Sequence, residues 1–131
     1  MRYLALDIGT KRTGVAFLDD DIGIPLPLET FPSSSKEEFM ERVMEIIAQR
    51  TVDQVYVGLP RLPSGEEGSQ ARIVRHYAAL LEERGIPLQF VDERYTTPRK
   101  AKTQKKRQLP LGMTDLDSAA ACEILKIARK H

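Results

Sequence analysis

The sequence predicts an α/β fold, a mixed sheet with helices packed on its faces. Short apolar runs of strand length alternate with stretches whose apolar residues recur at helical spacing. The first three runs follow one another with only turn residues between them, as in an antiparallel meander. Each later run is separated from the next by a helical stretch, as in the crossovers that join parallel strands.

Tyr3 to Ile8 forms the first run, interrupted near its end by Asp7, and Gly9 and Thr10 then turn the chain. Thr13 to Leu18 reads as a strand returning beside it, with Lys11 and Arg12 at the tip. Ile24 to Phe31 alternates apolar residues with others. Pro25 and Pro27 cannot donate ladder hydrogen bonds, so this strand belongs at a sheet edge. Ser35 followed by Glu38 is a capping-box pattern. Phe39, Met40, Val43, Met44 and Ile47 then mark an amphipathic helix to about Arg50. Gln54 to Leu59 is the next strand, and Pro60, Pro63, Gly65 and Gly68 mark a loop. Ser69 can cap a second helix, with Val74, Tyr77, Ala78, Leu80 and Leu81 on one face and Gly85 as its stop. Leu88 to Asp92 is the last strand. Thr97 before Pro98 is a helix start, but the RKAKTQKKR that follows has almost no apolar face. Residues 108–113 read as loop, and Asp115 to Lys130 as the final helix.

A chain of 131 residues is read as a single domain, 1–131, long enough for a real core. No apolar run reaches membrane-spanning length and no signal-peptide pattern opens the chain, so no membrane partner is expected. The lone cysteine, Cys122, fits a reducing cytoplasm and reads as a small core residue. The net charge of +1 hides an asymmetry. Arg94, Arg99, Lys100, Lys102, Lys105, Lys106 and Arg107 form a block without a single acid, leaving 13 cations against 19 acids elsewhere. Such a block is either a binding surface for a polyanion or a solvated arm.

Three acids stand out by position. Asp7 ends the first strand, Glu93 follows the last strand, and Asp117 lies in the first turn of the last helix. Sites in open α/β sheets form beyond the carboxyl ends of strands, where these three could converge. Oxygen ligands without soft ones favour Mg²⁺ or Mn²⁺, and two such ions about 4 Å apart can clamp a phosphodiester. Each acid also has a plainer role. Asp7 can support its turn, Glu93 can pair with Arg94 at the surface, and Asp117 can stabilise a helix N-terminus. Other chemistries fare worse. His76 and His131 have no nucleophile arrangement beside them, and neither a Walker A motif nor GxGxxG occurs. Glu66 and Glu67 in the central loop would repel a nucleotide phosphate.

The opening LALDIGTKRTGVA, the central VYVGLPRLPSGEEG, the later FVDERYTT and the final DSAAACEIL together resemble the YqgF, or RuvX, family of RNase H-like nucleases, nearly end to end. Members carry names such as pre-16S rRNA nuclease or Holliday junction resolvase. The DxG element alone is shared with sugar kinases, actin and Hsp70, whose two-domain architecture this chain is too short to form. The resemblance implies an RNase H-like, five-stranded mixed sheet, its first three strands antiparallel and its later strands parallel. It carries the family's acidic triad onto Asp7, Glu93 and Asp117 as catalytic and metal-binding residues. It also singles out Gly9, Lys11, Arg12, Gly14, Gly58, Pro60, Gly65, Gly68 and Arg94. The expected activity is metal-dependent hydrolysis of structured nucleic acid, with Asp7 bridging two ions and Lys11, Arg12 and the basic block holding phosphates. Precursor 16S rRNA is the favoured substrate, processed at its 5′ end by a monomer or homodimer. Branched DNA cut by a junction resolvase, or RNA bound by a non-catalytic assembly factor, are the alternatives. The departures lie between Thr97 and Asp117, where a nearly all-basic segment and QLPLGMT replace the usual partly apolar helix and basic cluster.

Overall fold

The structure, a computed structural model, describes residues 1–92 and 116–130. Five strands form one sheet: β1 (Arg2–Ile8), β2 (Arg12–Asp19), β3 (Leu26–Pro32), β4 (Gln54–Leu59) and β5 (Leu88–Asp92). Their order is β3-β2-β1-β4-β5. β1 pairs antiparallel with β2 and β2 with β3, while β1–β4 and β4–β5 are parallel. The meander and the crossovers anticipated from the run order are both present. β3 lies at an edge, as its prolines require, with Pro27 opposite Ala16.

The helices α1 (Lys36–Arg50) and α2 (Ser69–Glu83) cover one face, and α3 (Leu116–Lys130) covers the other. Ser35 caps α1, its hydroxyl accepting from the Glu38 backbone N–H at 3.2 Å. At α2 the cap is Gly68, one residue before the anticipated Ser69, which is already helical. Gly85, at φ 78°, lies in the left-handed conformation that follows the helix end.

β1 is central and buried on both faces, which explains its nearly unbroken apolar sequence. Its pleat sends Leu4, Leu6 and Ile8 toward α1 and α2, against Val15, Phe31, Phe39, Val43, Val55, Val57, Val74 and Leu81. Tyr3 and Ala5 point the other way, toward α3, with Ala16, Leu18, Tyr56, Val91, Ala121, Cys122, Ile124 and Leu125. Among the described residues no helix is long and apolar enough to cross a membrane. The weak helix expected after Thr97 lies outside the described residues.

Candidate active site

Asp7 continues the alternation of Tyr3 and Ala5, so it lies on the α3 face at the carboxyl end of the central strand. It is 3% exposed. A carboxylate so buried needs partners, and Asp7 is held by interactions within the fold. Its neighbours on this face are small. Across the antiparallel ladder it sits opposite Gly14. One step beyond the last parallel pair, Leu6 and Val57, the next residue of β4 is Gly58, itself paired with Val91. Apolar side-chain bulk thus falls along the face: Tyr3 opposite Leu18, Ala5 opposite Ala16, and then the carboxylate of Asp7 opposite Gly14. The β2–β3 ladder slips in register at this same level, between Thr13 and Val15. Extra residues of this kind bend a strand and recur beside active sites.

The chain after Asp7 is tightly fixed. The Gly9 N–H donates to the Arg12 carbonyl at 3.0 Å, and a Cβ at Gly9 would stand only 2.7 Å from that oxygen. No side chain fits there without moving the backbone. Ser33 braces the turn twice, its N–H on the Lys11 carbonyl at 3.0 Å and its hydroxyl on the Gly9 carbonyl at 2.7 Å. The Tyr77 hydroxyl in turn donates to the Ser33 carbonyl. From the first turn of α2, the Gln70 amide donates to the Ile8 carbonyl at 3.0 Å. Lys11 and Arg12 are exposed, Lys11 on the turn and Arg12 as the first residue of β2.

The loop between β4 and α2 borders the same end of the sheet. Arg61 donates to the Gly65 carbonyl at 3.0 Å and approaches Asp92 of β5 at 3.4 Å. Glu67 takes both ends of the Arg75 fork at 2.6 Å, and Arg75 lies over the Phe90 ring at 4.9 Å. The Arg75 hydrogen bonds, with the charges of Arg75 and Arg61, hold the Glu67 carboxyl below its usual range. Glu67 is therefore tied to two guanidinium groups, and the repulsion of phosphate expected from its charge is offset within the loop.

The other anticipated site residues are described less fully. Asp117 falls in the first turn of α3, as expected, but only its backbone is described. The next residue, Ser118, is fully buried, and its hydroxyl donates to the Leu28 carbonyl at 2.7 Å. Leu28 faces Val15, so α3 is pinned beside the irregular stretch of β3 that flanks Gly14. Glu93, Arg94, Arg99, Lys100, Lys102, Lys105, Lys106 and Arg107 lie outside the described residues, as does His131. Among the described residues no three His, Cys, Asp or Glu side chains come together. Cys122 is buried, and desolvation pushes its thiol up to about 11, which suits the core role read for it. The sequence reading did not single out Gln70, Ser33 or Arg61. Their partners are distant in the chain, 62 residues away for Gln70, and no local periodicity signals them.

A mixed five-stranded sheet in the order β3-β2-β1-β4-β5, with helices on both faces, is the RNase H-like architecture. Among solved structures, Thermus thermophilus RuvC in complex with a Holliday junction substrate matches with a TM-score of 0.64 at 13% identity, over 95% of this chain and 90% of that one. The fowlpox virus Holliday junction resolvase gives 0.52 at 13% identity, over 98% and 96%. At such identity the likeness is one of fold.

The chain belongs to the RuvX family. The family described as "RuvX: Holliday junction resolvase" matches residues 1–128. Relatives named "Putative pre-16S rRNA nuclease" include one from Limosilactobacillus fermentum, 40% identical over 100 residues, 74% of this chain and 69% of that protein. Another, from Chloroflexus aurantiacus, is 36% identical over 128 residues, 94% and 82% of the two chains. This is a family of nucleases.

Proposed function

We propose that this chain is a metal-dependent nuclease that hydrolyses a phosphodiester bond in structured nucleic acid, precursor 16S rRNA near its 5′ end being the favoured substrate. The observation that carries this reading is Asp7: a buried carboxylate at the end of the central strand, beside Gly14 and a braced turn bearing Lys11 and Arg12. The names of relatives 36–40% identical favour precursor rRNA. The family description favours four-way DNA junctions as the second reading.

Asp7, Glu93 and Asp117 are the proposed catalytic acids and metal ligands. Their oxygen donors suit Mg²⁺ or Mn²⁺ rather than a softer ion. Glu93 directly follows Asp92, the last residue of β5, in sequence. The anchorage of Ser118 beside the Gly14 level supports Asp117. Bound ions would supply water activation and charge stabilisation at the leaving 3′ oxygen. The chain's own part is to hold the three carboxylates and to bind phosphates through Lys11, Arg12, Arg94, Arg99, Lys100, Lys102, Lys105, Lys106 and Arg107. We read the protein as cytoplasmic, a monomer or homodimer.

Side-by-side cleavage of precursor rRNA and a four-way DNA junction tests the reading, with and without EDTA. Metal-dependent cleavage of the RNA is expected. Cleavage confined to the junction would favour the resolvase, and tight binding without cleavage the assembly factor. Undiminished cleavage in excess EDTA would exclude the metal mechanism. Affinity should also fall with salt at about −0.7 to −0.9 per phosphate neutralised. Neutralising Lys105, Lys106 and Arg107 together should flatten that slope by up to about two to three units. An unchanged slope would make the basic block a solvated arm.

A further inference from the structure

β1 and β5 are not neighbours, because β4 lies between them. The parallel ladders end at Leu6 with Val57 and at Leu59 with Asp92. Past those pairs the ladders of β4 no longer link the two strand ends directly, although β1 stays paired with β2 through Ile8. One continuous stretch, Arg61 to Gln70, touches both. Gln70 donates its amide to the Ile8 carbonyl, one residue beyond Asp7, at 3.0 Å. The Arg61 Nε stands 3.4 Å from the Asp92 carboxylate, with the two side chains 31% and 22% exposed.

Between its two ends the stretch is braced from within. Arg61 also donates to the Gly65 carbonyl at 3.0 Å, and Leu62 and Glu66 close a backbone turn at 2.8 Å. Glu67 is gripped by both ends of the Arg75 fork at 2.6 Å and lies 3.9 Å from Arg61. Arg75 in turn covers Phe90 of β5. The loop is thus stiffened from inside, anchored to β1 at one end and to β5 at the other.

We infer that the segment 61–70 is a clamp that sets the distance between the carboxyl ends of β1 and β5, with Arg61 and Gln70 as positioning residues for the catalytic acids. The inference rests on the active-site reading above, in which Asp7 belongs to β1 and Glu93 follows Asp92 in sequence. Neither clamp residue is assigned contact with reacting atoms; both act through the strand ends. Metal-dependent phosphodiester cleavage is sensitive to such spacing. Two ions must stand about 4 Å apart, and a misplacement of about 1 Å costs on the order of 10²-fold in rate.

The test uses Gln70→Leu, which removes the donor and leaves a side chain of comparable volume, and Arg61→Met. Arg61→Lys restores the charge without the fork, and Glu66→Gln is a control at an exposed side chain on the same loop. Cleavage is measured over a range of substrate concentrations. Mn²⁺ binding is titrated by electron paramagnetic resonance without nucleic acid, and thermal unfolding is recorded for each variant. Gln70→Leu and Arg61→Met are expected to lower kcat about tenfold or more while KM stays within about twofold. Both should also weaken Mn²⁺ binding, Arg61→Lys should recover part of each loss, and Glu66→Gln should match the wild type. Variants with lower Tm but normal kcat and normal Mn²⁺ affinity would overturn the clamp, leaving these contacts merely structural. So would a change confined to KM, which would make the loop a substrate-binding surface. A wild-type protein that binds Mn²⁺ but cuts neither nucleic acid overturns the proposed substrate alone, since the Mn²⁺ titration still reads the clamp.

Discussion

Leu6 and Asp7 are adjacent in the chain and almost equally buried, 0% and 3% exposed, yet they serve opposite faces of one sheet. The face under α1 and α2 is filled with large apolar groups along its whole length: Leu4, Leu6 and Ile8 in β1, Val55, Val57 and Leu59 in β4. The face under α3 starts large, with Tyr3 stacked on Tyr56 at 5.6 Å, and loses apolar bulk through Ala5 and Ala16 to Asp7 and Gly14. The first face is built for burial. The second gives up apolar volume at one end, where a helix can approach closely and a carboxylate can be lodged. α3 matches that taper, with Ser118, Ala119, Ala120 and Ala121 in its first turns and Ile124 and Leu125 further on. The difference teaches that the candidate site lies where one face gives up apolar side chains, while the other face is filled for burial throughout.

If that contrast holds, substitution of these two neighbours should separate activity from stability. Asp7→Asn is expected to lower single-turnover cleavage by orders of magnitude with the fold retained, as read by circular dichroism. Leu6→Ala should do the reverse. It should cost about 2–5 kcal/mol in denaturant unfolding and leave cleavage close to normal where the protein remains folded. A stable but inactive Leu6→Ala protein would break the division between the faces.

Overfilling the tapered face should have a smaller and mixed effect. Ala16→Leu inserts three carbon atoms beneath α3 and should destabilise by about 1–3 kcal/mol. It should also reduce cleavage, because the start of α3 must shift. A comparable change with full activity would mean that α3 and the Asp7 end of the sheet are not coupled.

The mildest probe is Cys122, also beneath α3. Burial pushes its thiol up to about 11 from an ordinary 9.0, so alkylation of the folded protein at neutral pH should be negligible. Above that ordinary value the unfolded chain loses a proton that the folded chain retains until about 11, so the unfolded state binds fewer protons and stability falls as pH rises through this window. Rapid labelling under native conditions would show that α3 does not stay docked.

Much of this was legible before the structure. Strand and helix limits follow the apolar periodicity to within a residue or two, and Ser35 caps α1 as its spacing with Glu38 implied. The edge position of β3 was written in its prolines, and Asp7 was conspicuous as a charge closing an apolar strand. The site's surroundings were not legible to the same degree. Nothing in the residues near Gln70 says that its amide will meet the Ile8 carbonyl, and nothing near Arg61 points to Asp92. Nor did the sequence reading notice the taper, although alternate residues of β1 and β2 contain it, because its meaning depends on which alternate set faces α3.

The local chain therefore determined the elements, their rough limits and the chemical identity of the acid, since periodicity, turn residues and caps act over a few neighbouring positions. Tertiary structure decided the strand order β3-β2-β1-β4-β5, the pairing of Asp7 with Gly14, and the meeting of both strand ends on one loop. These contacts join residues that are far apart in the chain. A strand has a side-chain period of two, so a slip of one residue would have turned Asp7 into the face of Leu6. Only the packing of two helices against one face and a third against the other fixes which register survives.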